Sequence, residues 1–286
     1  MDIHCPLYLY SFIAISQEGV HMKKILAIAL ILAVAGAAFA QAPKDGFYFA
    51  EQTEFSKSGW RYQAVLEVKG GKIVSANWNG VNNLGLADKK TVAKAGQYGM
   101  AKVAKQGEWD VQAARVEAEL VKVGDVSKIA VKADGKTDAI SGVSITVKEF
   151  LDLVPKALAA GPVAKGSYKK DGWFYAKDAA FDRSGYAATA LITIVNGRIV
   201  GAVSNAVHKD GGDSKYVRAV KGTYKMNAKQ GEWNVQSEKM AAALVKAQEV
   251  SKIAVKADGK TDAISGVSVT VGEFFKIAAE ALKAAQ

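Results

Sequence analysis

The segment from Ser127 to Ser144, SKIAVKADGKTDAISGVS, returns letter for letter from Ser251 to Ser268. A chain that carries the same stretch twice is built from two copies of one unit, and that restricts the fold more than any composition does. The match extends outward from this core. Gln106-Gly107-Glu108-Trp109 recurs as Gln230-Gly231-Glu232-Trp233, Gly96-x-Tyr98-x-Met100 as Gly222-x-Tyr224-x-Met226, and Asp45-Gly46-Phe47 as Asp171-Gly172-Trp173. Each copy is a domain of about 120 residues, an ordinary size for an independent unit. Ala159-Ala160-Gly161-Pro162 closes the first, because Gly stops a helix and Pro cannot continue it. The expected domains are therefore 41–162 and 163–286. Half of the residues are apolar, which favours two packed cores over disorder.

The segment ahead of the repeats reads as an address. Met22-Lys23-Lys24, the apolar run Ile25 to Ala35 and the small-residue exit Ala38-Phe39-Ala40 have the order of a cleavable secretory signal, with cleavage expected after Ala40. Residues 1–21 fit poorly in front of it. They read either as part of a longer signal peptide or, the preferred expectation, as the result of a start codon placed too early, since Gln17-Glu18-Gly19 can be encoded by a purine-rich ribosome-binding sequence just upstream of Met22. The apolar run is short for a membrane span and no second one follows, so the mature chain is expected to be exported, soluble, and periplasmic or otherwise extracytoplasmic.

The single cysteine, Cys5, lies in the discarded part. That removes disulfides, thiolate metal sites, c-type haem attachment and a lipid-anchored cysteine. Of three histidines only His208 stays, too few for a histidine metal centre or two symmetric triads, so no metal and no catalytic residues are expected. The net charge of +10 belongs to an exported chain, which makes nucleic acid the wrong partner. The lysines are spread along helices and turns as on a solvated surface, and they suit steering toward an anionic membrane or an acidic redox partner.

Within the first copy, Tyr62 to Val68 alternates, with Tyr62, Ala64, Leu66 and Val68 on one face and Gln63 and Glu67 on the other, as in a half-buried strand. Gly70-Gly71 turns it into Lys72 to Trp78, and Asn196-Gly197 is the same tight hairpin in the second copy. Val111 to Val123 has Ala113, Val116, Leu120 and Val123 at helical spacing. Ile129 to Lys132 reads as a short strand ending at Asp134-Gly135. Val147 to Ala160 carries the apolar stripe Val147, Phe150, Leu151, Val154 and Leu158. The fold class is α+β, two tandem copies of a small antiparallel sheet packed against helices.

Between the last turn and the last helix lie Asp138-Ala139-Ile140-Ser141-Gly142-Val143-Ser144-Ile145-Thr146 and Asp262-Ala263-Ile264-Ser265-Gly266-Val267-Ser268-Val269-Thr270. Thr146-x-x-Glu149 and Thr270-x-x-Glu273 fit capping boxes. Ser144 and Ser268 then sit just outside a helix N-terminus, where free N–H groups and the helix dipole favour a phosphate, and Gly142 and Gly266 permit a tight turn or a close ligand. An ordinary Ser/Gly helix-entry loop has the same letters, and Asp138 and Asp262 serve equally as caps of the turn they end.

This arrangement resembles the flavinylation motif of FMN-binding domains, D-x-x-[ST]-G-A-[ST], found in the C subunit of sodium-pumping NADH:quinone oxidoreductases and in exported bacterial electron carriers. The resemblance covers essentially all of the chain after the signal. It implies covalent FMN, two per chain, joined by a flavin transferase through the phosphate to the hydroxyls of Ser144 and Ser268. Asp138, Ser141, Gly142, Thr146, Asp262, Ser265, Gly266 and Thr270 would complete the motif. Val143 and Val267 stand where the family has Ala, and the acceptor is Ser where Thr is usual. Trp109, Trp233, Tyr98 and Tyr224 are candidate flat surfaces for the flavin ring, although aromatics at repeated positions more often belong to a core than to a cofactor box. Met100 and Met226 read as core filler.

The implied function is extracytoplasmic electron transfer between a donor and an acceptor, in solution or at a membrane, with no substrate pocket and hence no enzyme activity of its own. Two other readings use the same fold: an unmodified ligand-binding or surface protein, and a reductase acting directly on a small acceptor.

Overall fold

A computed structural model describes residues 42–286; the signal segment, the start at Met22 and Cys5 lie outside the described residues. In the first copy, β1 (Gly46–Glu51), β2 (Trp60–Lys69) and β3 (Lys72–Asn82) form an antiparallel sheet in the order β1-β2-β3. Gly70 and Gly71 both take positive φ, 57° and 73°, the conformation a two-residue hairpin needs to match strand twist. Four helices follow: α1 (Lys89–Lys94), α2 (Trp109–Val123), α3 (Lys148–Leu151) and α4 (Leu153–Ala160). The second copy repeats the plan with β4 (Gly172–Lys177), β5 (Tyr186–Val195), β6 (Arg198–His208), α5 (Lys215–Val220), α6 (Trp233–Ala247) and α7 (Gly272–Lys283). Its hairpin turns on Asn196 at φ 52° and Gly197 at φ 70°. The class is α+β, two antiparallel three-stranded sheets each packed against helices.

Periodicity explains where each core sits. Ala64, Leu66 and Val68 on β2 meet Ala113, Val116 and Leu120 on α2 and Phe150 and Val154 from the last helices. In the second copy Ala190, Ile192 and Ile194 meet Met240, Ala241, Leu244 and Phe274. The last helix differs between copies because Pro155 of the first is Ala279 in the second. Pro155 has no N–H to give to the carbonyl a turn earlier, and the first copy breaks into α3 and α4 at Asp152. The second copy has Ala279 there and α7 runs unbroken.

Three sequence expectations are corrected. Ile129 to Lys132 is not a strand: Ile129 is its one buried side chain, and Lys132 N–H donates to the Lys136 carbonyl of its own turn instead of to a sheet. The capping boxes do not form. Val147 and Val271 occupy the cap positions without a side-chain bond, and the Gly135 carbonyl accepts N–H groups from Val147 and Lys148 at 2.8 and 3.1 Å, as Gly259 does for Val271 and Gly272. Nor is β2 half-buried along its whole length: the alternation holds from Ala64 to Val68, but Arg61 and Gln63 on the expected solvent face are enclosed.

The second sheet covers that face. Val81, Leu191 and Val203, with Phe55, Trp173 and Tyr175, form a small apolar cluster between the copies. Gln63 Oε1 accepts from Trp173 Nε1 at 2.6 Å and from Thr193 Oγ1 at 3.0 Å. The two sheets thus pack with their helices outward, which also accounts for β5 being buried along its whole length.

Candidate functional site

The motif loops are held identically in both copies. Thr137 Oγ donates to the Ala130 carbonyl and accepts from Ala139 N–H, and Thr261 does the same with Ala254 and Ala263. Ile140 and Ile264 are buried beneath the loop. Gly142 and Gly266 have φ of 74° and 70°, the left-handed region that glycine enters without strain. Their carbonyls are gripped by cations from the long helix: Arg115 Nη1 on Gly142 O at 2.6 Å, Lys239 Nζ on Gly266 O at 3.0 Å.

Each expected acceptor serine is fixed by a buried glutamine. Gln112 Oε1 accepts Ser144 N–H at 2.8 Å and its hydroxyl at 3.2 Å; Gln236 Oε1 accepts Ser268 N–H at 2.7 Å and its hydroxyl at 3.4 Å. The amide ends donate to the Gly107 and Gly231 carbonyls. Each hydroxyl therefore gives away its proton while its lone pairs stay free, with Ser144 half-buried and Ser268 exposed. Of the donors at the helix start, the Val147, Lys148, Val271 and Gly272 N–H groups are engaged by the glycine carbonyls and the Ser144 and Ser268 N–H groups by the glutamines.

The other motif residues divide. Ser141 and Ser265 are exposed. Asp138 and Asp262 are exposed and pair with Lys132 at 2.9 Å and Lys256 at 2.6 Å. Neither caps the turn, because Asp134 and Asp258 accept the Lys136 and Lys260 N–H groups. Thr146 and Thr270 pack against Gly135 and Gly259.

In the second copy a cavity of ≈ 290 Å³ brings several expected residues together. Ser268 and Thr270 line it with Tyr224 and Trp233, and Lys215, Lys260, Glu273 and Phe274 join them. Ser268, Thr270 and Lys260 are exposed, whereas Trp233 and Phe274 are buried, so the space is polar where it meets solvent and aromatic within. Lys215 Nζ lies 4.8 Å from the Tyr186 ring, 4.9 Å from Tyr224 and 5.4 Å from Trp233. Burial lowers its pKa, against the opposing pull of Asp182.

In the first copy the same positions are closed by the protein's own rings. Tyr62 stacks on Trp109 at 6.0 Å and 16°, and Trp78 lies 5.0 Å from Trp109 and 5.3 Å from Phe150. Lys89 is buried among four rings, 4.6 to 5.1 Å from Tyr98, Tyr62, Trp109 and Trp60, and donates to the Tyr62 hydroxyl at 2.7 Å. Burial pushes its ammonium down to about 7, with Glu149 pulling the other way.

Sequence reasoning missed Gln112, Gln236, Arg115, Lys239, Lys89 and Lys215. Gln112 carried a signal, since it recurs as Gln236 on the apolar side of its helix.

No protein-family model matches the chain, and no curated protein matches it. Two solved structures are similar to part of it. A solution NMR structure of a Clostridium thermocellum protein is 45% identical, matching 41% of this chain and 92% of that one with a TM-score of 0.34. A crystal structure of a Clostridium perfringens protein is 24% identical, matching 41% of this chain and 88% of that one with a TM-score of 0.32. Among the described residues no helix is long and apolar enough to cross a membrane.

Proposed function

We propose that this protein is an exported electron carrier with FMN joined through its phosphate to Ser144 and Ser268. The observation that carries the reading is the cavity of the second copy, where the motif serine shares one space with Trp233 and Tyr224. A phosphorylated, flat, mostly apolar cofactor fits that layout: a hydroxyl for the phosphate, the exposed Lys260 beside it, and aromatic faces beyond. FMN supplies reversible electron uptake when bound.

The chain's own part is to present and hold. Gln112 and Gln236 orient each serine hydroxyl toward their amide oxygen, leaving its lone pairs to the incoming phosphorus. Glycine at 142 and 266 lets the loop turn beneath it. Attachment needs an activated donor, a phosphoanhydride of FMN brought by a flavin transferase. The serine O–P bond forms, the anhydride P–O bond breaks, and the serine proton leaves with the departing phosphate. In an extracytoplasmic setting, as the signal-like Met22 to Ala40 suggests, an ester keeps the cofactor from being lost to dilution. Electron donor and acceptor are separate proteins or small molecules that the positive charge helps to attract.

Intact mass of the protein produced together with a flavin transferase tests this. Two FMN additions are expected, one lost in Ser144→Ala and the other in Ser268→Ala. An unmodified mass under those conditions overturns the covalent reading and leaves a reversible ligand-binding protein of the same fold.

A further inference from the structure

We infer that the two copies differ toward a planar ring: the second keeps a solvent-open recess for it, whereas in the first the Tyr62 side chain already stands in its place. Flavin as the ring rests on the function proposed above; the inequality rests on the packing alone.

Aligning the copies through their hairpins and motifs pairs Tyr62 with Ala188, Trp78 with Ser204, Trp109 with Trp233 and Phe150 with Phe274. The receiving surfaces, Trp109 and Trp233, are therefore the same, while the two rings packed on Trp109 are replaced by the small side chains Ala188 and Ser204. Exchange of Val116 for Met240 restores only part of that volume. What remains is the ≈ 290 Å³ space that Ala188, Trp233, Met240 and Phe274 line, near the lower end of small-ligand sites. In the first copy Tyr62 lies nearly parallel to Trp109, the relation an entering ring would take up with Trp233.

The outcome is a division of labour. A flavin tethered to Ser268 has an aromatic-lined recess within the protein, and one tethered to Ser144 meets a filled core and stays at the surface, open to a partner. Ala188 sets this difference, being the smallest side chain at the position where the other copy has Tyr62.

The test uses lumiflavin, which has the ring without a phosphate, titrated into the full chain up to its solubility limit and followed by quenching of its fluorescence. The wild type should bind one equivalent saturably, and Ala188→Tyr should weaken binding at least tenfold, with Ala188→Val intermediate. Should Ala188→Tyr unfold the copy, Ala188→Val decides alone. Absence of saturable binding, or unchanged affinity in the folded variants, overturns the inference. The covalent reading fails separately. FMN additions without lumiflavin binding sink this inference and spare the carrier, whereas Ala188-dependent lumiflavin binding without additions supports it and sinks covalent attachment.

Discussion

Gln112 Oε1 lies 2.8 Å from the Ser144 backbone nitrogen and 3.2 Å from its hydroxyl, and Gln236 repeats the relation with Ser268. One fully buried amide on the long helix thus sets the backbone and the side chain of the expected acceptor. Gln112→Leu removes the acceptor and also strands the Gly107 carbonyl that the amide satisfies. Loss of such buried bonds costs about 1–3 kcal/mol. Chemical denaturation should show a loss of that size, and on the function proposed above FMN addition at Ser144 should fall while Ser268 is unaffected.

The motif glycines should not tolerate a methyl group, and the first copy should suffer more. A left-handed backbone costs an L-residue about 1–2 kcal/mol in either copy. A Cβ at Gly142 would also come within 2.9 Å of Arg115 Nη1, which is committed to both the Gln106 and Gly142 carbonyls. At Gly266 the contact is closer, 2.5 Å from Lys239 Nζ, but that flexible side chain holds the Gln230 and Gly266 carbonyls only at 3.4 and 3.0 Å, against 2.8 and 2.6 Å for Arg115, and swings aside more readily. Gly142→Ala should therefore lower the unfolding midpoint further than Gly266→Ala.

Much of the architecture was legible because it follows from short-range chemistry. Gly70-Gly71 and Asn196-Gly197 announce hairpins through the positive φ they allow, and the helical spacing from Ala113 to Val123 marks the face turned to the sheet. What escaped depends on partners distant in sequence. Gln63 alternates as a solvent residue would, yet Trp173 and Thr193 of the other copy enclose it. Gln112 falls on the apolar side of its helix, but the Ser144 backbone and hydroxyl that it holds lie 32 residues further along the chain. Thr146 and Glu149 have capping-box spacing, but the Gly135 carbonyl reaches the helix start first. At the site, the repeated motif pointed to Ser144 and Ser268 as the expected acceptors, while the exchange of Tyr62 for Ala188 falls outside the identical stretch and matters only once the packing around Trp109 and Trp233 is known.

The caged lysine should make the first copy's stability depend on pH in the alkaline range. Lys89 is depressed from the ordinary 10.5 to about 7 by burial. Between those values the unfolded chain holds a proton at this site that the folded chain does not, so stability from this group rises with pH. Below 7 both states hold it, and the full penalty of a buried charge is present. From pH 7 to pH 9 the gain should be about 2 kcal/mol. Comparing wild type with Lys89→Met by denaturant melts across that range isolates it: the difference should shift in favour of the wild type as pH rises, and a flat difference would show that the ring cage keeps the ammonium charged.

Gln63 is one of several side chains that join the copies, beside Tyr175 on the Gly85 carbonyl and Asn205 and Ser214 on the Asn83 carbonyl. Gln63 is fully buried, its oxygen shared by the Trp173 indole N–H and the Thr193 hydroxyl and its nitrogen donating to Glu51 Oε1 at 2.9 Å. Gln63→Leu keeps the volume and leaves three polar groups without this partner, two of them on the other copy. Trp173→Phe removes only one donor and keeps an aromatic ring in the small apolar cluster of Val81, Leu191 and Val203. At about 1–3 kcal/mol for each stranded buried group, Gln63→Leu should be the more damaging change. Because its losses fall at the interface, the two copies should unfold in separate calorimetric transitions in Gln63→Leu and closer together in Trp173→Phe. Equal effects of the two changes would mean that the apolar cluster, and not the amide, couples the copies.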